Sequence, residues 1–212
     1  MFDNDKLLFS AKNEVKSVEK IVMDYDNYIE RGEIGKAKQQ FQTIARIMKE
    51  RTEERYIKPI NILLHNCRDH PEQSGFIVMG INCILIELYF EMANGFDTSN
   101  ESGYKVKDAY TTILPLLDHH ITNEMATIFY KEIRCKIIHQ GQTGKHTAIT
   151  YADLVGDIIS YYGDYYLCNP KVLFDRLLLL YKQYWNDLSE GKNPTQKENF
   201  IKKFKHILYR DK

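Results

Sequence analysis

In the stretch FYKEIRCKIIHQGQT, residues 129–143, Arg134 and His139 sit among isoleucines in a helical pattern that ends at Gly141. An arginine is always charged and presents a planar fork that fits phosphoryl oxygens. A histidine exchanges protons near neutral pH and can act on a hydroxyl. Together they are a minimal apparatus for phosphoryl transfer without a metal. The plain alternative is an arginine that reaches water and a histidine that satisfies carbonyls at a helix end. A five-residue step turns about 140° on an ideal helix, so the two side chains do not share one stripe. Both belong to the last two turns, where the helix dipole is negative. Lys131, Lys136, Lys145 and His146 add a local cationic patch that could bind phosphate.

Elsewhere the chain carries no glycine-rich phosphate loop, no His-Glu-x-x-His, no Glu-x-x-His pair and no paired cysteine spacing. No metal and no cofactor is therefore expected. His65, Cys67 and His70 form a short cluster without an evident fourth ligand, and His119 with His120 is expected to solvate a turn. Lys202, Lys203, Lys205, Arg210 and Lys212 read as the solvated face of a last helix. Glu87 and Glu91 stand four apart in an otherwise apolar run and read as a solvated rim.

The elements that must position these groups are mostly helical. The 212 residues balance 29 Lys plus Arg against 29 Asp plus Glu, so no global field recruits nucleic acid or acidic membranes. Four scattered cysteines in apolar company suggest reduced thiols and a cytoplasmic setting, and no apolar run is expected to cross a membrane.

Leu8, Ala11, Val15, Val18, Val22, Tyr25 and Ile29 step by three and four, and the stepping resumes from Ile34 to Met48. Residues 4–57 thus read as a helical hairpin, with Pro59 breaking or kinking its second arm. The expected division is an N-terminal helical hairpin over 1–69 and a helical domain over 70–212. Within the latter, a run apolar nearly all round ends at Gly95, and a helix through Tyr104 to Leu117 is strained near Pro115. Thr122 or Asn123 caps the helix that ends at Gly141. Gly163 and Asp164 mark a β-hairpin near 157–168, Asn169 and Pro170 open a helix to about Leu188, and Thr195 to Glu198 has capping-box spacing.

FYKEIRCKIIHQG resembles the signature helix of HEPN domains (higher eukaryotes and prokaryotes nucleotide-binding), with an Arg, four to six residues and then a His near a helix end. The resemblance covers about residues 72–190. It implies a mainly α helical bundle with a small β-hairpin, and a metal-independent RNA endonuclease in which Arg134 and His139 are catalytic. It also implies a homodimer through the signature helix, which brings two Arg and His sets together across a dyad. Toxin–antitoxin and phage-defence partners belong to the same family picture. Cys135 stands where active members often carry a polar residue, and catalytically silent HEPN-like domains that bind RNA, a nucleotide or a protein are also implied.

Overall fold

The structure is a computed structural model that describes residues 7–152, 156–191 and 193–210. Its first element departs from the helical stepping. Leu8–Ser10 (β1) and Asn13–Glu14 (β2) form a two-stranded antiparallel ribbon, and the helix α1 begins only at Val15 and ends at Glu30. Asn13 donates its side-chain amide to Ser10 Oγ at 2.7 Å, a local turn that competes with the helix. Gly32, at φ 69°, turns the chain into α2, Ile34–Thr52. Val18, Val22 and Tyr25 of α1 face Ala37, Phe41 and Ile44 of α2, all buried.

Pro59 does not end the second arm. A π-helical turn, Glu53–Ile57, precedes it and leads into α3, Lys58–Asn66. A π turn is wider than an α turn and gives room for a ring that carries no N–H.

The centre of the molecule is α4, Gly75–Asn94, buried along Val78, Met79, Asn82, Cys83, Leu85, Ile86, Phe90 and Met92. With the short turn before it, Pro71–Asn94, it is long and apolar enough to cross a membrane by length and composition, contrary to the sequence expectation. Here it packs as a core helix against α5 (Val106–Leu117), α8 (Pro170–Glu190) and α9 (Pro194–Leu208). Its neighbours lock it by polar tips as well as by area. Tyr181 of α8 donates to the Leu85 carbonyl at 2.8 Å, and Asn82 donates to the Pro170 carbonyl at 2.8 Å. Gly95 closes α4 at φ 70° with its Cα against Asn199 of α9, where an added Cβ would stand 3.0 Å from the Asn199 Cα.

Between α5 and α8 the chain forms α6 (Asn123–Ile128), a second π-helical segment (Phe129–Arg134), α7 (Cys135–Gln140) and a small sheet. The sheet has order β3-β5-β4, with Thr147–Ile149 (β3) parallel to Tyr165–Cys168 (β5) and Ile159–Tyr162 (β4) antiparallel to β5. The expected hairpin is β4 and β5 turning at Gly163 and Asp164. Asn169 caps α8 through its side-chain oxygen, which accepts from Lys171 and Val172. The last helix starts one residue before the expected capping box: Asn193 is the cap, accepting from the Gln196 amide, and Pro194 is the first helical residue. A proline fits there because its missing N–H would have had no partner.

The N-terminal hairpin shares its core with these late helices. Phe9 meets Phe204 at 5.1 Å, Phe41 meets Phe200 at 5.8 Å and Trp185 meets Phe200 at 6.2 Å, and one buried cluster runs from Phe9 to Leu208.

Candidate functional site

The helix that carries Arg134 and His139 is tied at both ends. Thr122 Oγ1 accepts the Met125 amide at 3.2 Å, and Gly141, at φ 67°, returns its N–H to the Ile137 carbonyl. Between these ends the ladder opens into the π segment, whose last residue is Arg134. Single π turns inside α-helices recur at functional sites because they re-aim one side chain without ending the helix.

Arg134 is aimed at α4. Its Nε donates to Glu87 Oε1 at 2.8 Å and its Nη2 to Oε2 at 3.2 Å, a two-point fork that leaves Nη1 outside it. The side chains are 19% and 20% exposed, so the pair is largely desolvated. Tyr110, buried on α5, donates its hydroxyl to the same Glu87 Oε1 at 2.7 Å. Burial opposes the charge on Arg134, but the Glu87 carboxylate outweighs it and holds the guanidinium above its usual range. Burial, with Cys83 and Glu87 behind it, pushes the Tyr110 phenol well above its ordinary value. Arg134 thus stays charged and Tyr110 neutral.

Glu87 and Glu91 are therefore not a solvated rim. Glu91 accepts Ser99 Oγ at 2.8 Å and pairs with Lys203 at 2.7 Å. The sequence signal was present, since a charge within an otherwise apolar buried helix needs a buried partner. Sequence spacing does not name that partner, and Tyr110 carried no signal at all.

His139 lies exposed in the last turn of α7, and among the described residues no hydrogen bond or ion pair joins it to Arg134. Lys136 and Lys145 are brought together along an open groove of about 500 Å³ shared with Glu132, Gln140, Gln142, Thr143 and Gly144. Lys131 is exposed one turn earlier and does not line the groove. Gly144 donates its amide to the Glu132 carbonyl at 2.7 Å, which draws the loop onto the helix. His146 is exposed at φ 54°, with its ring 5.7 Å from that of Tyr165.

No protein-family model matches the chain, and no curated protein or solved structure matches it.

Two other groupings have ligand chemistry. Asp118, His119 and His120 bring one ligand atom each within 4.8 Å of one another. The Asp118 carboxylate already accepts the His120 amide at 3.0 Å and the Ile158 amide at 3.4 Å, so it shapes the turn before α6. Among the described residues His65, Cys67 and His70 do not form such a group.

The second grouping is a cleft of about 400 Å³ between α2, α4 and α9, lined by Arg51, Glu87, Glu91, Lys203, His206 and Arg210 among others. Arg51 donates to the Phe9 carbonyl and stacks 4.5 Å from the Phe9 ring. Burial and the neighbouring Arg55 lower it to about 10. The basic tail is correspondingly less solvated than expected. Lys203 is buried against Glu91, Lys205 pairs with Asp26 at 2.7 Å, and Lys202 reaches Glu101 at 4.0 Å. Arg210 is exposed at the rim of the cleft, and Lys212 lies outside the described residues.

Proposed function

We propose that this protein is a metal-independent RNA endonuclease that uses Arg134 and His139. The observation that carries the proposal is the Glu87 fork on Arg134. A cation held rigidly through two nitrogens, with Nη1 left over, is preorganised to meet a phosphoryl oxygen, whereas a free arginine would have to be ordered at the moment of reaction.

The chemistry that fits is attack of a ribose 2′-hydroxyl on the adjacent phosphorus. The P–O5′ bond breaks, leaving a cyclic phosphate end and a 5′-hydroxyl. His139 takes the 2′-hydroxyl proton, and a second His139, from another copy of the chain across a dyad, returns a proton to the departing 5′ oxygen. Arg134 stabilises charge on the non-bridging oxygens. Two copies are part of the proposal because Arg134 and His139 of one chain make no direct contact. The same proposal has the enzyme acting in the cytoplasm on RNA, in a toxin–antitoxin or phage-defence setting.

The experiment is cleavage of a mixed single-stranded RNA pool in excess chelator by the parent, Arg134→Ala and His139→Ala. Cutting by the parent alone supports the proposal. Intact RNA in every arm overturns it.

One observation favours a second proposal, a catalytically silent domain of the same build. The charge of Arg134 is already answered by Glu87, and half-buried Cys135 follows it as a packed thiol. Binding of RNA or a protein that survives His139→Ala would favour this alternative.

A further inference from the structure

Large exposed aromatic side chains cluster on the small sheet. Tyr162 is 72% exposed and Tyr165 51% exposed, and they are directly opposed across the β4–β5 hairpin. Cross-strand partners project from the same face of a sheet. His146, just before β3, places its ring 5.7 Å from that of Tyr165, and its carbonyl accepts the Tyr166 amide at 2.8 Å. His146, Tyr165 and Tyr162 therefore form a row of rings running across the strand order from β3 through β5 to β4. On the other face Tyr161, 63% exposed, opposes Tyr166, whose ring lies 5.1 Å away and is half-buried toward Ile133 and Phe129.

This row begins where the basic groove ends. Lys145 lines the groove and is followed directly by His146, so the path runs from Lys136 and Gln140, through Gln142 to Lys145, onto the three rings. Among the described residues, Glu132 in the groove and Asp164 at the hairpin tip are the acidic groups on this route. Within the groove itself Lys136 and Lys145 outnumber Glu132. A cationic track that leads into flat, polar-tipped rings matches a backbone of phosphates carrying unpaired bases. Each base offers a π face regardless of its identity, and phosphates follow the cations. An aliphatic protein-docking patch would offer neither feature.

We propose that His146, Tyr165 and Tyr162 are a stacking platform for unpaired bases of single-stranded RNA, whose backbone lies along Lys136 and Lys145. The inference rests on the ribonuclease proposal for its choice of RNA, and it names the substrate class as unpaired rather than duplex RNA. The platform lets bases splay out beside the helix that carries His139, and a duplex, with its bases stacked inside, cannot use it.

The test is fluorescence anisotropy with a labelled twelve-nucleotide oligouridine and a duplex RNA of equal length. Parent, Tyr162→Leu/Tyr165→Leu, Tyr165→Trp and Tyr161→Leu are compared in excess chelator. The expected result is tighter binding of the single strand than of the duplex by the parent. The double variant then loses about tenfold or more in single-strand affinity, while Tyr165→Trp and Tyr161→Leu bind as the parent does. Unchanged far-UV circular dichroism keeps misfolding out of the comparison. Equal affinity of the parent and double variant overturns the proposal, as does a parent that prefers duplex. A double variant whose oligomeric state falls in light scattering while RNA affinity holds makes this face a contact between copies, which also overturns it. Tyrosine-dependent binding without any cleavage by the parent would remove the nuclease proposal and leave the platform standing. Cleavage and binding that ignore the tyrosines would do the reverse.

Discussion

Glu87 and Arg134 are 47 residues apart in the chain and meet through two hydrogen bonds of 2.8 and 3.2 Å, so the helix that carries the candidate chemistry is tied to the central helix through the Glu87 carboxylate as well as by packing. Removing one partner leaves the other charged and largely out of water. Glu87→Ala should lower the unfolding free energy by about 2–4 kcal/mol, and Arg134→Ala by a similar amount, with strong non-additivity in the double variant. Urea denaturation of the four proteins in the cycle measures this. Additive losses would mean that the pair is not a coupled unit.

If Glu87 positions Arg134 for catalysis, Glu87→Gln should retain one hydrogen bond and much of the fold yet lose cleavage. The expected loss is about tenfold to a hundredfold in kcat with KM little changed, because the fork acts on the transition state rather than on RNA binding. A fall confined to KM would make Glu87 a binding or purely structural residue.

Lys203 and Lys202 are neighbours with opposite expectations. Lys203 is 6% exposed, pairs with Glu91 and donates to the Asp97 carbonyl at 2.6 Å. Lys203→Ala leaves Glu91 with Ser99 but without its cation and should cost about 3 kcal/mol. Lys202, 54% exposed and 4.0 Å from Glu101, should be within about 0.5 kcal/mol of the parent when replaced by alanine. Thermal melts of the two variants separate a structural tail from a solvated one.

Gly95→Ala forces a left-handed φ of 70° on a residue with a Cβ and presses that atom against the Asn199 backbone. The expected loss is about 1–3 kcal/mol, measured by urea midpoint at constant slope. Gly141→Ala carries the same backbone strain at φ 67° but meets open space, and should cost less.

The Cys83 thiol is wholly buried, and burial pushes it up to about 12 from 9.0. Its folded value is raised, so the stability it contributes is complete below pH 9 and is lost as pH rises toward 12, because the unfolded chain releases the proton first. The unfolding free energy should fall between pH 9 and 10.5, and Cys83→Ala should flatten that slope by up to about 1.4 kcal/mol per pH unit. A variant with the parent's slope would assign the alkaline loss to Cys168 and the buried tyrosines instead.

Helices announced themselves in the sequence wherever the apolar stepping was dense. The stripes of α1 and α2, the end of α4 at Gly95, the Thr122 and Asn169 caps, the Gly141 stop and the turn at Gly163 are all local signals, set by backbone preferences within a few residues. What stayed hidden is non-local. The Glu87–Arg134–Tyr110 triad joins three helices, and no spacing rule connects residue 87 to 134. The π segment escaped because an α and a π turn share composition and differ by one hydrogen-bond step. Leu8 and Ala11 fitted a helical stripe, yet the Ser10–Asn13 turn and the pairing of β1 with β2 took them out of it. The basic tail misled in a different way, since lysines on a helix look solvated until the carboxylates opposite them are known. Residues 134 and 139 were legible as chemical types, whereas the anchor that orients one of them was not.

Phe9 against Phe204 and Asp26 against Lys205, a pair 179 residues apart, fasten the earliest elements to α9. During synthesis the first hairpin emerges long before the helix that covers it, so Phe9 and Phe41 face water until α9 has been made. Closing so long a loop adds little to the entropy cost, since each doubling of length adds only about 0.6 kcal/mol, but it delays the moment of closure. A chain cut before Pro194 would leave Phe41, Trp185 and Phe9 uncovered together, and it should be taken by chaperones or proteases as an unfinished core. The latch at α9 therefore makes completion of the fold a late event, and lets a helix with no candidate catalytic residue decide whether the rest survives.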